Sequence, residues 1–299
     1  MNRNTSILIV VLALVAIRPA GLFAQKKPKN SDIENIGKRD INKGRSNFAS
    51  IANETRIGIQ AAAEIERSVS LVDDDAVRDY VNRIAQNIAN NSDSKFPITV
   101  KVILSNEVNA SALPGGFIYV NSGAIRAADN EAELAYVIAQ MVGHVAARHS
   151  TEMNSKDTLL QVASVPAIIL TGGVAGTSLA NSAQLGLPIS MFRFSQDAVK
   201  EADFLGLEYL YKSGYDPASA VSFLKKLDDI EKSRPKQSSI LATHPPAAER
   251  IKLVEKESVQ VLPARTSNIL NTPEFDAIKT RVGANTSPDS PTPSLRLRP

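Results

Sequence analysis

The chain has 299 residues, of which 43% are apolar and 22% are charged, and its net charge is +3. These values are typical of a globular protein with a substantial core, and they exclude a strongly basic nucleic-acid-binding chain. There is no cysteine in the sequence, which excludes disulfides, thiol catalysis and lipidation at a cysteine.

The first 24 residues have the pattern of a secretory signal peptide. Arg3 supplies a positive charge, residues 7–17 form an unbroken apolar run, and cleavage is expected after Ala24. The run is short for a membrane span, and an uncleaved anchor is the alternative. Removal of residues 1–24 lowers the net charge from +3 to +1, because they hold two arginines and no acid. We therefore expect an exported protein, either periplasmic or secreted.

The first half of the remaining chain predicts a linker, helices and two strands. Residues 25–45 are polar and partly basic, which favours a linker. Apolar residues three to four apart predict helices over residues 46–69 and after the aspartates at 73–75, whose charges favour a helix N-terminus. Alternating, β-branched residues predict strands at 96–104 and 116–121.

The second half of the chain is predicted to be mainly helical. A long helix, capped by Asp129 or Asn130, is predicted from Glu131 to about Arg148. Residues 159–190 are apolar but interrupted by proline and glycine; they predict a buried helix and loop, with a mobile flap or a membrane-seeking hairpin as alternatives. Further helices are predicted over 196–213, after Pro217, over 246–257 and over 273–282. Residues 284–299 are rich in serine and proline, which predicts a disordered tail.

The helix that begins at Glu131 contains an altered zinc-protease motif. In an HExxH helix, two histidines four residues apart bind zinc from one face, and the glutamate beside the first activates the zinc-bound water. Here His144 stands at the second histidine, whereas Gln140 and Met141 stand at the first histidine and the glutamate. A neutral amide is a poor zinc donor, and a thioether cannot accept a proton from water.

Four stretches in order resemble the CaaX-prenyl-protease-like zinc metallopeptidases, the M48 peptidase family. They are residues 108–123 (VNASALPGGFIYVNSG), 130–150 (NEAELAYVIAQMVGHVAARHS), 201–217 (EADFLGLEYLYKSGYDP) and 243–251 (THPPAAERI). The resemblance is nearest to periplasmic members that assist outer-membrane assembly. It implies an α+β, mostly helical gluzincin-like fold over residues 46–283, with a small sheet beside the active-site helix.

The resemblance also assigns roles to other residues. The third zinc ligand of the family is a glutamate four residues before the aspartate of an Ala-Asp pair. Ala202-Asp203 matches that pair, so the ligand position holds Val199, which cannot bind metal. Asp203 matches a residue that orients a ligating histidine, and we expect it to pair with His144. His244 lies near the zinc in the family, and here we expect it to form a structural hydrogen bond. A site built from His144, Asp203 and His244 is the alternative.

His149 is a further histidine near this motif. On a continuous helix, a spacing of five residues rotates it by about 140° from His144, away from the ligand face. We therefore expect His149 to have a surface or packing role. Met141 and Val199 place apolar groups where charges would otherwise lie, which favours a core that closes without metal.

The sequence thus predicts a pseudoprotease. No bound zinc is expected, since only His144 remains of the three ligands. The protein is expected to bind extended or unfolded polypeptides, including outer-membrane proteins, or to regulate an active relative. In the family, the strand before the active-site helix is an edge that pairs with substrate. The predicted docking edge is therefore Gly116, Phe117, Ile118, Tyr119, Val120 and Asn121.

Two alternatives remain open at this point. One is an active zinc metalloendopeptidase in envelope protein quality control, with a reorganised site. The other is a decayed enzyme whose fold serves an unrelated contact. No nucleic-acid partner is expected, and residues 159–190 are the candidate for peripheral membrane contact.

Overall fold

The computed structural model describes residues 33–47, 49–152, 194–233 and 245–284. The α-helices in these ranges are α1 (Ile51–Ser68), α2 (Asp75–Asn90), α3 (Ser122–Ala127), α4 (Glu131–Ala146), α5 (Gln196–Lys212), α6 (Ala218–Ser233), α7 (Ala247–Val261) and α8 (Pro273–Ala284). The strands are β1 (Thr99–Ile103), β2 (Ala110–Ala112) and β3 (Phe117–Asn121). The predicted α+β, mostly helical fold with a small sheet is confirmed.

Some predictions fall on other parts of the chain. The predicted signal peptide, the apolar residues 159–190, His244 and the predicted tail beyond residue 284 lie outside the described residues. Within the described ranges, no helix combines the length and the apolar character needed to cross a membrane.

Side-chain caps fix where four helices begin. Ser50, Asp74, Asn130 and Ser195 precede α1, α2, α4 and α5, and each accepts a hydrogen bond from a backbone N–H of the first turn. Serine, aspartate and asparagine are favoured at this position because their oxygens satisfy N–H groups that have no partner within the helix. Asn130 rather than Asp129 caps α4, so the structure decides between the two residues that the sequence offered.

The sheet has the strand order β1-β3-β2, with β3 in the centre. β3 runs parallel to β1 and antiparallel to β2. The prediction that residues 116–121 form a docking edge is therefore wrong, because both sides of β3 are already paired. The prediction failed because β2 is too short and its residues are too small to show a strand pattern in the sequence.

Helices cover both faces of this sheet. Successive β3 side chains point to opposite faces. Tyr119 contacts the α1 side in a cluster that includes Ala61 and Ile65, whereas Ile118 and Val120 join the main core with α2 and α4. The sheet therefore holds α4 against its inner face.

α4 is buried along its whole length and packs against α5. A Cβ atom at Gly143 would lie 2.8 Å from the carbonyl oxygen of Ala202, and a Cβ atom at Gly206 would lie 2.8 Å from Cα of Gln140. Since the numbering rises along one helix as it falls along the other, the two helices are antiparallel. The missing side chains allow their backbones to approach closely, which brings the motif residues of α4 beside α5.

Residues 33–45 pack against the domain. Ile33 and Ile41 are buried. The Arg39 guanidinium donates hydrogen bonds to carboxyl oxygens of Asp93 and Glu208, at 2.6 and 2.7 Å. This part of the predicted linker over residues 25–45 therefore belongs to the folded domain.

Candidate functional site

α4 carries the three residues of the altered motif. Gln140 and His144 are one helical turn apart and lie on the same face, as two ligating histidines would. Met141 follows Gln140, and all three side chains are buried. The sequence prediction that this segment is a helix is correct, and the helix places an amide, a thioether and an imidazole where the chemistry of an HExxH site would be carried out.

α5 carries the position of the third ligand. Val199 and Asp203 are four residues apart on this helix, and both are fully buried, with 0% exposure. Val199 has no donor atom in its side chain. An apolar group therefore occupies a site closed to solvent, where an ionised carboxylate would need a partner.

The turn after α4 places His149 differently from the sequence prediction. The helix ends at Ala146, and Arg148 adopts the left-handed conformation, with φ 54° and ψ 35°. This residue turns the chain back, so the Nδ1 atoms of His149 and His144 lie 3.0 Å apart. The expectation that His149 lies away from His144 is wrong, because it assumed a continuous helix.

Buried ionic contacts hold this turn. The Arg148 guanidinium donates to the Glu54 carboxylate at 2.8 Å and to the carbonyl oxygen of Ala49 at 2.6 Å. Thr151 donates to the same carboxylate at 3.0 Å. Burial raises the pKa of Glu54, although the contacts from Arg148 and Thr151 oppose the change. A left-handed arginine is strained, so these contacts are what maintain it.

Two further residues flank the imidazole pair. The Phe194 ring stacks on His144, with ring centroids 3.7 Å apart and an interplanar angle of 19°. Nε2 of His149 lies 3.3 Å from the Glu201 carboxylate, which also accepts from Arg45 at 2.5 Å. Burial alone would raise the pKa of Glu201, but the contacts from His149 and Arg45 outweigh it and hold that pKa below its usual value.

Asp203 is bound by residues other than the predicted one. Its carboxylate accepts from the Tyr136 hydroxyl at 2.9 Å and from two nitrogens of Arg250, each at 2.7 Å. Tyr136, Asp203 and Arg250 lie on α4, α5 and α7, and all three are buried. The expected pairing of Asp203 with His144 is therefore replaced by a buried ion pair that joins three helices.

A comparison with known protein families identifies the chain's relationship. The model of Peptidase family M48 matches residues 75–258, which is more than half of the chain. The chain belongs to peptidase family M48. The matched range includes α4 and α5, so the M48 assignment covers Gln140, Met141, His144 and Val199.

Curated M48 relatives agree with this assignment. The chain is 28% identical over 231 residues to a beta-barrel assembly-enhancing protease of Escherichia coli strain K12, covering 75% of this chain and 47% of the relative. The chain is 30% identical over 239 residues to the protein of the same name from Yersinia pestis, which covers 77% of this chain and 49% of that relative. Metalloprotease LoiP of Escherichia coli strain K12 is 32% identical over 198 residues, which covers 64% of this chain and 75% of that relative. The chain thus spans about half the length of the first two relatives, and their names agree with the predicted branch of the family.

Zinc is the metal that membership of the M48 family implies, and the residues at this site do not fit it. A catalytic zinc site takes three protein ligands and a water molecule. Of the three positions, only His144 holds a residue that binds zinc readily, since Val199 has no donor and Gln140 offers a neutral amide. Among the residues that the structure describes, no group of three or more His, Cys, Asp or Glu side chains could hold a metal ion. The expectation of no bound zinc remains a prediction.

Sequence reasoning missed several residues of the site. Arg250 lies in the stretch 243–251 that carried the family resemblance, and this position could have indicated that it belongs to the site. Glu201 directly precedes the Ala202-Asp203 pair, and this position could also have indicated a role at the site. Phe194 and Arg45 have no local motif, and only the folded chain brings them to the two histidines.

Proposed function

We propose that this M48-family protein binds extended polypeptide segments along the outer edge of β2 and does not cut them. The observation that carries the proposal is the outer edge of β2, which no other strand of the described residues pairs. It lies beside an active-site helix that has Met141 at the position of the catalytic glutamate. The first feature supports docking, and the second argues against hydrolysis.

The hydrogen-bond pattern of β2 and β3 identifies the groups on this edge. Leu113 N–H donates to the Phe117 carbonyl at 2.8 Å, and Asn121 N–H donates to the Asn109 carbonyl at 3.0 Å. In an antiparallel ladder, bonded pairs alternate with unbonded ones. Ala110 and Ala112 are thus unbonded to β3, and their backbone groups point outward.

Little of this edge is occupied by described residues. The Ala110 N–H is bound by the Asn109 side chain at 2.9 Å, and the Ala112 carbonyl has a long contact of 3.5 Å with the Ser150 hydroxyl. The opposite edge of the sheet is covered, because the backbone of residues 70–72 bonds to β1 and to Leu104. Of the two sheet edges, as far as the described residues show, β2 is therefore the one that can accept another strand, as in other proteins that bind peptides by strand addition.

The motif residues cannot activate water in the usual way of the family. Met141 has no basic atom where the glutamate would take the proton, and Gln140 is neutral. Both side chains are buried, so they pack in the protein interior around α4. Docking along β2 needs only backbone groups, so it survives the loss of these chemical groups.

The relatives suggest the class of polypeptide. Two of them are named beta-barrel assembly-enhancing proteases, so we propose unfolded outer-membrane β-barrel chains as clients, in an exported protein. Such chains are rich in strand-forming segments, which suit pairing with an edge strand. Regulation of an active relative, by competition for the same clients, is compatible with this mode.

An active zinc metalloendopeptidase is the second candidate, because the relatives named above are proteases. It would need metal ligands other than those that the family motif supplies. The two candidates differ in whether a chelator abolishes their activity, and one experiment separates them.

The test uses a fluorescent peptide of about ten residues with alternating apolar side chains, which is long enough to pair with a short strand. Binding is measured by fluorescence anisotropy with and without a chelator. Two N-methylated versions are matched controls, in which alternate amides are blocked in one register or in the other. Mass spectrometry of the same samples detects cleavage.

The proposal predicts binding that a chelator does not change, loss of binding in one methylated register only, and an intact peptide. Equal binding of both methylated peptides would refute strand pairing at β2. Cleavage that stops when the chelator is added would establish the second candidate.

A further inference from the structure

The turn that follows α4 is held by a short segment near the start of the folded domain. We call residues 42–47 the strap. The Asn42 side chain donates to the Ala146 carbonyl at 2.8 Å, and the Asn47 side chain donates to the Arg148 carbonyl at 3.3 Å. Asn47 also forms a β-bridge with Glu152. The strap thus supplies donors to carbonyls at the end of α4 and in the turn.

A chain of polar contacts runs from the strap to His144. Arg45 donates to Glu201 on α5 at 2.5 Å and lies 3.5 Å from Glu152 in the turn. Glu201 contacts Nε2 of His149 at 3.3 Å, and Nδ1 of His149 lies 3.0 Å from Nδ1 of His144. Four successive side chains therefore link the strap, α5, the turn and α4.

We propose that Arg45, Glu201 and His149 act as positioning residues that fix His144 and the turn after α4 without a metal ion. In a zinc site, the metal joins its ligating helices through direct bonds, and bonds from neighbouring groups orient the ligands. At this site the third-ligand position is Val199, so a metal cannot join α4 to α5 through it. The side-chain relay makes the connection between the same two helices.

The geometry of the relay supports a positioning role. His149 offers one ring nitrogen to Glu201 and the other to His144, so its ring orientation is constrained at both ends. The Glu201 carboxylate is fixed in turn by the Arg45 guanidinium. The two contacts of His149 require the chain to reverse at Arg148, whose carbonyl oxygen accepts a hydrogen bond from Asn47 of the strap.

The relay also reaches the proposed docking edge. Ser150, next to His149, has its hydroxyl 3.5 Å from the carbonyl oxygen of Ala112 on β2. The position of the turn therefore affects how accessible the Ala112 carbonyl is to a docked strand. This second consequence rests on the proposed function, whereas the positioning of His144 and the turn does not.

The experiment compares Arg45→Ala and Glu201→Gln with the wild-type chain. Arg45→Lys retains a positive charge and is the conservative variant. Arg56→Ala is the matched control, since Arg56 is exposed on α1 and, within the described part of the chain, its side chain bonds locally to Asn53. Long-range nitrogen NMR reports the tautomers of the imidazoles, and hydrogen exchange reports the opening of residues 146–152.

We expect exchange at residues 146–152 to be about tenfold faster in Arg45→Ala and in Glu201→Gln, because the local structure opens more often. The imidazole nitrogen shifts of His144 and His149 should change in both variants, and Arg45→Lys should restore them in part. Arg56→Ala should match the wild type. In the wild type, prolonged treatment with a chelator should leave shifts and exchange unchanged.

Wild-type exchange and wild-type shifts in both variants would overturn the inference, and so would a chelator effect on the wild-type chain. If Arg45→Ala does not fold, Glu201→Gln gives the same readouts with a nearly unchanged side-chain shape. Peptide affinity is measured separately on each variant. If the wild-type chain binds no peptide, the proposed function is refuted. If hydrogen exchange is nevertheless altered in the variants, the positioning role of Arg45 and Glu201 still stands.

Discussion

Restoring a glutamate at the third-ligand position should destabilise the protein. Val199 is fully buried, so the carboxylate of Val199→Glu must either stay ionised without solvent or take up a proton. Protonation of a group with a pKa of about 4.3 costs about 3.7 kcal/mol at pH 7. Because the carboxylate can take up a proton instead of remaining ionised, burial of its charge cannot cost more than this. The longer side chain adds about 1–3 kcal/mol for overpacking.

Val199→Gln is the matched control, because its side chain has the same length and carries no ionisable group. The difference between the two variants isolates the charge. It should reach about 3–4 kcal/mol at pH 7 and fall to about 1 kcal/mol at pH 5, since protonation becomes easier as the pH falls. Urea unfolding followed by circular dichroism, at both pH values and with a chelator present, measures it.

Two results would refute this reasoning. Equal stability of the glutamate and glutamine variants at pH 7 would mean that the site accommodates a charge, as a zinc site must. A difference that does not change between pH 5 and pH 7 would mean that the loss arises from packing. Addition of zinc should not rescue Val199→Glu, because Gln140 still offers only a neutral amide at the position of the first histidine ligand.

Three further predictions concern the surrounding core. Burial raises the pKa of Glu208 to about 8, so the folded chain retains a proton that the unfolded chain releases. The contribution of Glu208 to stability should therefore fall by up to about 1.4 kcal/mol per pH unit between pH 5 and 8, and a Glu208→Gln variant with the same pH dependence as the wild type in urea titrations would contradict the prediction. Arg250→Met leaves Asp203 buried without its cation and should cost about 3–5 kcal/mol in chemical denaturation; a loss below about 1 kcal/mol would show that the pair is dispensable. Gly143→Ala should cost about 1–3 kcal/mol in the same assay because α5 must move away, whereas Gly283→Ala, with open space around it, should not destabilise the fold.

The helices could be predicted from the sequence because their apolar spacing is regular and their caps are typical. Their ends were less predictable. α1 begins at Ile51 rather than at residue 46 because Ser50 provides the cap. α4 ends at Ala146 because Arg148 adopts a left-handed conformation, which side-chain contacts from distant residues support. No local pattern distinguishes that arginine from a helical one.

The order of the strands could not be predicted. Residues 117–121 have a clear strand pattern, so the strand itself was found. β2 consists of Ala110, Ser111 and Ala112, which have no alternation and little preference for strands. Its pairing with β3 moves the open edge from the predicted strand to its neighbour.

The candidate site divides in the same way. The replaced motif positions, Gln140, Met141 and Val199, could be predicted because a single helix or a short sequence pattern fixes their spacing. The partners of His144 and Asp203 could not be predicted, because they come from the turn after α4, from Phe194 before α5 and from α7. Asp203 shows the difference: its place in α5 was predicted, whereas its bond to Arg250 depends on how α7 crosses the two central helices.

The most direct test of the account is the zinc content of the purified chain. The protein would be produced in zinc-replete medium without a histidine tag, and its metal content measured by elemental analysis and by native mass spectrometry. We expect far less than one zinc per chain and no change after His144→Ala. Near-stoichiometric zinc that is lost in His144→Ala would contradict it, and the protein would then have to be regarded as a metallopeptidase with a rebuilt site.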